Sequence, residues 1–173
     1  MKTTSKLIWQ RIQTAAPIEE YELWNGLQKL VTLSIDTLEN KIRVACDDCR
    51  RDFHVEKEGL LLNKTILKNE YGIKIGEIGH ELFFNNEGFI ELNEERFHFC
   101  IQNNPLAELI IYRKSKKNPL LICALSSNDG NPSIKFSRNE ESNGKTYPCL
   151  LMALCWFLFM PIAKENVSEY ASA

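Results

Sequence analysis

The run Pro148-Cys149-Leu150-Leu151-Met152-Ala153-Leu154-Cys155-Trp156-Phe157-Leu158-Phe159-Met160-Pro161-Ile162-Ala163 carries no charge and almost no polar group. Pro148 suits the first helical position, where its missing N–H costs nothing. Pro161 is expected to end or kink the helix. Projected at about 100° per residue, the run has no polar face, and a helix apolar all round is either buried on every side or in a membrane. Length decides between the two. A span needs about 20 apolar residues, whereas the unkinked stretch 149–160 has 12 and the extended one 147–163 has 17. Flanking Lys145 and Lys164 would stretch it only slightly. The mixture of Cys, Met, Trp, Ala and Phe offers varied shapes for packing. The sequence therefore predicts a helix over 148–163 buried inside the protein.

Such a helix must be surrounded, and the only material to surround it is strands. From Val31 onward, short apolar or alternating runs recur every 8 to 12 positions between turn residues, the pattern of an all-β domain. Strands are predicted over 31–35, 41–45, 52–56, 60–67, 73–78, 81–85, 88–92, 96–102, 107–113, 120–125 and 133–137. Turns are read at Asn69-Glu70-Tyr71-Gly72, Asn85-Asn86-Glu87-Gly88, Asn93-Glu94-Glu95 and Lys116-Lys117-Asn118-Pro119, among others, because such residues accept tight-turn backbone angles. In Arg96-Phe97-His98-Phe99-Cys100-Ile101 the three apolar side chains share one face, opposite Arg96 and His98. Connections this short cannot make parallel crossovers. The expected topology is an antiparallel meander long enough to close into a barrel or fold into a sandwich. Before it, residues 17–30 read as a short helix: Glu19, Glu20 and Glu22 come early, Lys29 late, and Leu23, Leu27 and Leu30 have helical spacing.

Many short strands followed by a uniformly apolar C-terminal helix resemble the tubby-like fold, shared by tubby C-terminal domains, phospholipid scramblases and LURP-one-related proteins. The segment Tyr71-Gly72-Ile73-Lys74-Ile75-Gly76-Glu77-Ile78 is similar to a strand turn of the scramblase and LURP-one branch. The stretch Ala107-Glu108-Leu109-Ile110-Ile111-Tyr112-Arg113-Lys114, a basic turn, and Pro119-Leu120-Leu121-Ile122-Cys123-Ala124-Leu125 look like a hairpin of the same kind. The resemblance implies a mainly β chain with helices (α+β), in which an antiparallel β-barrel over 31–163 closes around helix 148–163. It leaves a helical arm at 1–30 and a flexible tail at 164–173. Neither the calcium-binding segment of scramblases nor the phosphoinositide site of tubby proteins has a residue-by-residue match.

Chemistry is sparse. Of the 173 residues 44% are apolar and 25% charged, with a net charge of −2, which gives no global pull toward nucleic acid. The N-terminus shows no secretory signal pattern, so the six cysteines are expected to be reduced thiols in a cytoplasmic setting, four of them in apolar runs as small core residues. Cys46-Asp47-Asp48-Cys49 with His54 could supply half a zinc site. No second C-x-x-C completes it, and a hairpin turn with two incidental thiols explains the same residues. The motif also lacks the βαβ setting of a redox pair. Arg113, Lys114, Lys116 and Lys117 form a basic hairpin tip able to hold a phosphate head group or an acidic partner, or merely to keep a turn solvated.

No Gly-rich phosphate loop, Ser nucleophile elbow or HExxH occurs. No catalytic residue and no cofactor are assigned. The expectation is a non-enzymatic binding or scaffold domain for a phospholipid head group or protein partner, with peripheral membrane contact through the basic hairpin. A tail-anchored protein with a cytosolic β domain and a small enzyme of unrecognised type are the alternatives.

Overall fold

The structure, a computed structural model, describes residues 6–12, 15–47, 49–59, 64–81, 84–102, 104, 108–114, 117–125, 132–136 and 147–171. The chain runs through β1 (Lys6–Ile12), β2 (Ile18–Asn25), β3 (Gln28–Asp36), β4 (Lys41–Cys46), β5 (Cys49–Glu58) and β6 (Lys64–Lys68). It continues through β7 (Lys74–Glu81), β8 (Phe84–Leu92), β9 (Glu95–Ile101), β10 (Leu109–Tyr112), β11 (Leu121–Leu125) and β12 (Pro132–Phe136) to α1 (Tyr147–Ala171). Each strand pairs antiparallel with the next. β1 also pairs with β12, in the register Lys6↔Lys135, Leu7↔Ile134 and Ile8↔Ser133. The expectation of a mainly β, antiparallel chain ending in a helix is met.

Alternation along the strands builds one apolar face. Leu7 and Trp9, Tyr21 and Leu23, Val31 and Leu33, Ile42 and Val44, Ile90 and Leu92, Phe97 and Phe99, and Leu109 and Ile111 are all buried. Their neighbours in sequence point to the other face. Arg96 and His98 are on that outer face, as their alternation predicts.

α1 packs on the apolar face. Every residue from Leu150 to Trp156 is buried, and Phe159 and Met160 join them. Seven consecutive buried positions span almost two turns, so every direction around the helix axis is covered there. Trp156 stacks on Trp9 of β1 with ring centroids 5.1 Å apart and meets Tyr21 of β2 edge-on at 5.5 Å. Residue contacts also link α1 to β3, β4, β10 and β11. Neither indole N–H of the stacked pair meets an acceptor among the described residues; close packing of the rings fixes this junction.

Three expectations are corrected. Residues 17–30 are not a helix. They form β2, a turn and the start of β3, with Glu22 facing Thr32 and Asn25 facing Gln28 across a hairpin. Gly26 sits at φ +60° at the first of two central turn positions, and Leu27 follows fully exposed. A glycine there makes the tight two-residue hairpin turn that matches strand twist. Tyr21 and Leu23 then alternate inward, and their burial outweighs the helix-like order of charges.

The second correction concerns β8, which is one strand through Asn85-Asn86-Glu87-Gly88 rather than two strands about a turn. A Cβ on Gly88 would overlap the Gly79 carbonyl oxygen and the Phe99 ring. Here glycine serves a close approach of strand and ring and makes no turn. The third is at Pro161, which lies inside α1 and does not end it; the helix continues to Ala171, across the segment expected to be a tail. Met160 and Ile162, on either side, pack on the core, and that burial offsets the hydrogen bond that proline removes. Among the described residues no helix is long and apolar enough to cross a membrane.

Candidate functional site

In an antiparallel meander alternate turns share one end of the sheet. The turns β2–β3, β4–β5, β6–β7, β8–β9 and β10–β11 thus lie together. The predicted basic hairpin tip belongs to this end, since 113–120 connects β10 to β11. Lys114 and Lys117 are exposed there. Lys116 lies outside the described residues. The Arg113 Nε is 2.7 Å from Glu95 Oε1 and its guanidinium carbon 5.6 Å from the Phe97 ring centroid. Arg113 therefore ties β10 to β9 while its side chain stays 37% exposed.

Two exposed apolar tips share this end. Leu27 is 99% exposed in the β2–β3 turn and Tyr71 is 79% exposed in the β6–β7 turn, with Ile73 beside it at 61%. The second tip is rigidly built. Asn69 Oδ1 accepts from the N–H groups of Tyr71 (3.0 Å) and Ile73 (2.9 Å), and Gly72 takes φ +75°. An Asn that bonds its own turn two residues on fixes the loop without help from packing. Arg50 and Arg51, at the start of β5, bring further exposed cations to the same end.

The proposed metal trio does not assemble. Cys46 faces Cys49 across the β4–β5 turn, with both side chains on the apolar face. His54, an odd number of positions from Cys49, is exposed on the other face. No group of three His, Cys, Asp or Glu side chains suited to a metal ion occurs among the described residues. Cys149 lies in the first turn of α1. Burial first, and then the Cys46 thiol, push the Cys149 thiol up to about 12. Cys49, Cys46, Val44, Arg51 and Phe53 line a small depression with Leu150, the neighbour of Cys149. Cys149 was read from sequence only as a core residue, since nothing in the spacing links it to Cys46. Of the other thiols, Cys123 and Cys155 are fully buried as expected, whereas Cys100 is half-buried on the outer face of β9.

Two histidines and two carboxylates among the described residues have well-defined ring or ion-pair partners. His80 meets the Phe99 ring edge-on at 5.3 Å, and His98 stacks on Tyr112 at 5.7 Å. Glu77 lies between Lys74 (2.6 Å) and Lys64 (3.1 Å), which hold its carboxyl below the usual range, Lys74 most strongly. Asp52 accepts from Arg43 through both oxygens, 2.8 Å to Nε and 3.0 Å to Nη2, and from Lys41 at 3.1 Å. The Arg43 hydrogen bonds hold the Asp52 carboxyl well below the usual carboxylate range, against its partial burial and with help from Lys41.

The sign follows from that depression. A carboxylate whose folded value is lowered contributes stability above its unfolded value, about 3.9 for Asp, and loses it as pH falls through the folded value. Asp52→Asn should therefore cost about 1 kcal/mol at neutral pH, the upper part of the range for a partly exposed ion pair. The difference from the parent should narrow steadily below about pH 4. Urea unfolding of both proteins at neutral and acid pH checks this.

No protein-family model, no curated protein and no solved structure matches the chain.

Proposed function

We propose that the sheet closes as a tubby-like barrel around α1, and that this barrel is a non-enzymatic domain docking on anionic phospholipid head groups through its β10–β11 turn. The closure rests on the pairing of β1 with both β2 and β12 and on the all-round burial of α1. The binding reading is carried by one observation: exposed Lys114 and Lys117 share an end of the sheet with the exposed apolar tips Leu27 and Tyr71. Cations near an anionic leaflet are attracted by about 1 kcal/mol each, and apolar tips beside them gain by entering the head-group boundary. An acidic protein partner would use the cations but would not account for a fully exposed leucine at the same end of the sheet.

The test is co-sedimentation of the full chain with phosphatidylcholine vesicles, with and without added phosphoinositide. Binding should need the anionic lipid. It should fall as salt shortens the screening length from about 10 Å to about 3 Å. The Lys114→Glu/Lys116→Glu/Lys117→Glu variant should bind on the order of a hundredfold more weakly, from about 1 kcal/mol per lysine. Equal binding to neutral vesicles, or indifference to the charge reversal, overturns the proposal.

A further inference from the structure

We propose that Cys46 and Cys49 form a dithiolate site for one monovalent copper ion, held in the depression beside the β4–β5 turn. Two independent features bring the thiols together. They are direct cross-strand partners that close a two-residue turn, so their side chains share one face of the ladder. Both also line one depression, with Val44 of β4, Arg51 and Phe53 of β5, and Leu150 of α1. Strand alternation explains the set, because Cys49, Arg51 and Phe53 take every second position of β5, and Val44 and Cys46 do the same on β4. Both cysteines are free thiols; Cys46 is 8% exposed and Cys49 half-buried, which makes Cys49 the more accessible of the two.

The chemistry of the depression selects the ion. Thiolate is a soft donor, suited to monovalent copper or zinc and not to magnesium, calcium or manganese. Structural zinc takes four ligands in a tetrahedron. Among the described residues no third His, Cys, Asp or Glu completes such a set, and His54 is exposed on the opposite face. Monovalent copper is satisfied by a linear pair of thiolates. The span agrees. Residues that flank a two-residue hairpin turn form a hydrogen-bonded pair, with Cβ atoms toward the wide end of about 4.5–5.5 Å. A disulfide needs them about 3.8 Å apart, whereas an ion between the two sulfurs fits the wider spacing. Binding balances as two thiols and one Cu⁺ giving an S–Cu–S bridge of charge −1 and two released protons. Arg51 is the one charged side chain among the described residues lining the depression, and its cation offsets that charge. Val44, Phe53 and Leu150 supply an apolar shell that limits the access of water.

The test uses the full reduced chain in the absence of oxygen, titrated with Cu⁺ against a chromophoric chelator. Free and loaded protein are then alkylated with iodoacetamide and mapped by mass spectrometry. The expected result is one ion per chain with two sulfur neighbours in X-ray absorption, and a Cys49 that is alkylated in the free protein and spared in the loaded one. Cys49→Ser should weaken binding on the order of a hundredfold or more, since loss of a mere supporting group already costs about 10- to 100-fold. His54→Ala and Cys100→Ser should bind as the parent does. Zn²⁺ offered in place of copper should be lost on desalting. Retained zinc, protection of a different cysteine in place of Cys49, or undiminished binding by Cys49→Ser would each overturn the proposal. The protection map is made on the parent chain, so no variant has to fold for the test to work.

Discussion

A chain ending at Lys145 should not fold. It lacks Leu150 to Trp156, Phe159 and Met160, all buried, and it exposes the strand residues they cover, Trp9 and Tyr21 among them. At ~1.5–3 kcal/mol for each large side chain, the lost burial is on the order of 15 kcal/mol. That equals or exceeds the whole net stability of an ordinary domain, about 5–15 kcal/mol. The truncated chain is expected to elute as aggregate on size exclusion and to show no cooperative thermal transition, while the full chain melts cooperatively. A full-length Phe159→Ala variant provides the graded version. Phe159 is completely buried against Trp156, and its loss should cost about 3–5 kcal/mol without abolishing the fold.

Gly88→Val should be the most damaging single substitution on the strands. Gly88 faces Phe99 across β8 and β9. The Phe99 ring and the Gly79 carbonyl oxygen already stand where a Cβ would go. Neither obstacle can retreat: Phe99 is fully buried, and the carbonyl belongs to the neighbouring strand of the ladder. Overpacking of a closed site costs about 1–3 kcal/mol for added methylenes, and a clash with backbone should lie at or above the top of that range. Gly72→Ala is the comparison. Space around Gly72 is open and only its φ of +75° resists a side chain, so about 1 kcal/mol is expected. Chemical denaturation of the two variants separates steric exclusion from backbone strain.

The sequence was informative wherever the pattern is local. An apolar run without a polar face has one soluble solution, and α1 is buried as that logic requires. The alternation in 96–101 identified β9 and its inward phenylalanines because period-two patterning is local. Gly88 was misread because a glycine demanded by a ring on the next strand looks, in one dimension, like a glycine demanded by a turn. Residues 17–30 were misread because Leu23, Leu27 and Leu30 match a helical period by accident; Leu27 is a turn tip and Leu23 a core residue. Gly26 was the better guide, because glycine at the first central position of a two-residue turn points to a hairpin.

The candidate sites divide the same way. The basic tip was legible as a charge cluster, but the ion pair of Arg113 with Glu95 was not, because it is fixed only by the β9–β10 register. The placing of Leu27 and Tyr71 at the same end as that tip depends on counting turns across the whole meander. Cys149 is about a hundred residues from Cys46, and only the packing of α1 on the sheet brings its first turn near β4. His54 was expected beside Cys49, yet strand alternation turns it to the opposite face.

Enclosure of α1 is the claim on which the rest depends, and amide hydrogen exchange of the full chain in detergent-free buffer tests it most directly. If the sheet encloses the helix, amides across residues 151–159 open only with the whole protein and exchange at the rate set by global unfolding. Fast exchange of those amides while the strand amides stay protected would contradict it, because the helix would then be a separable element and not the core.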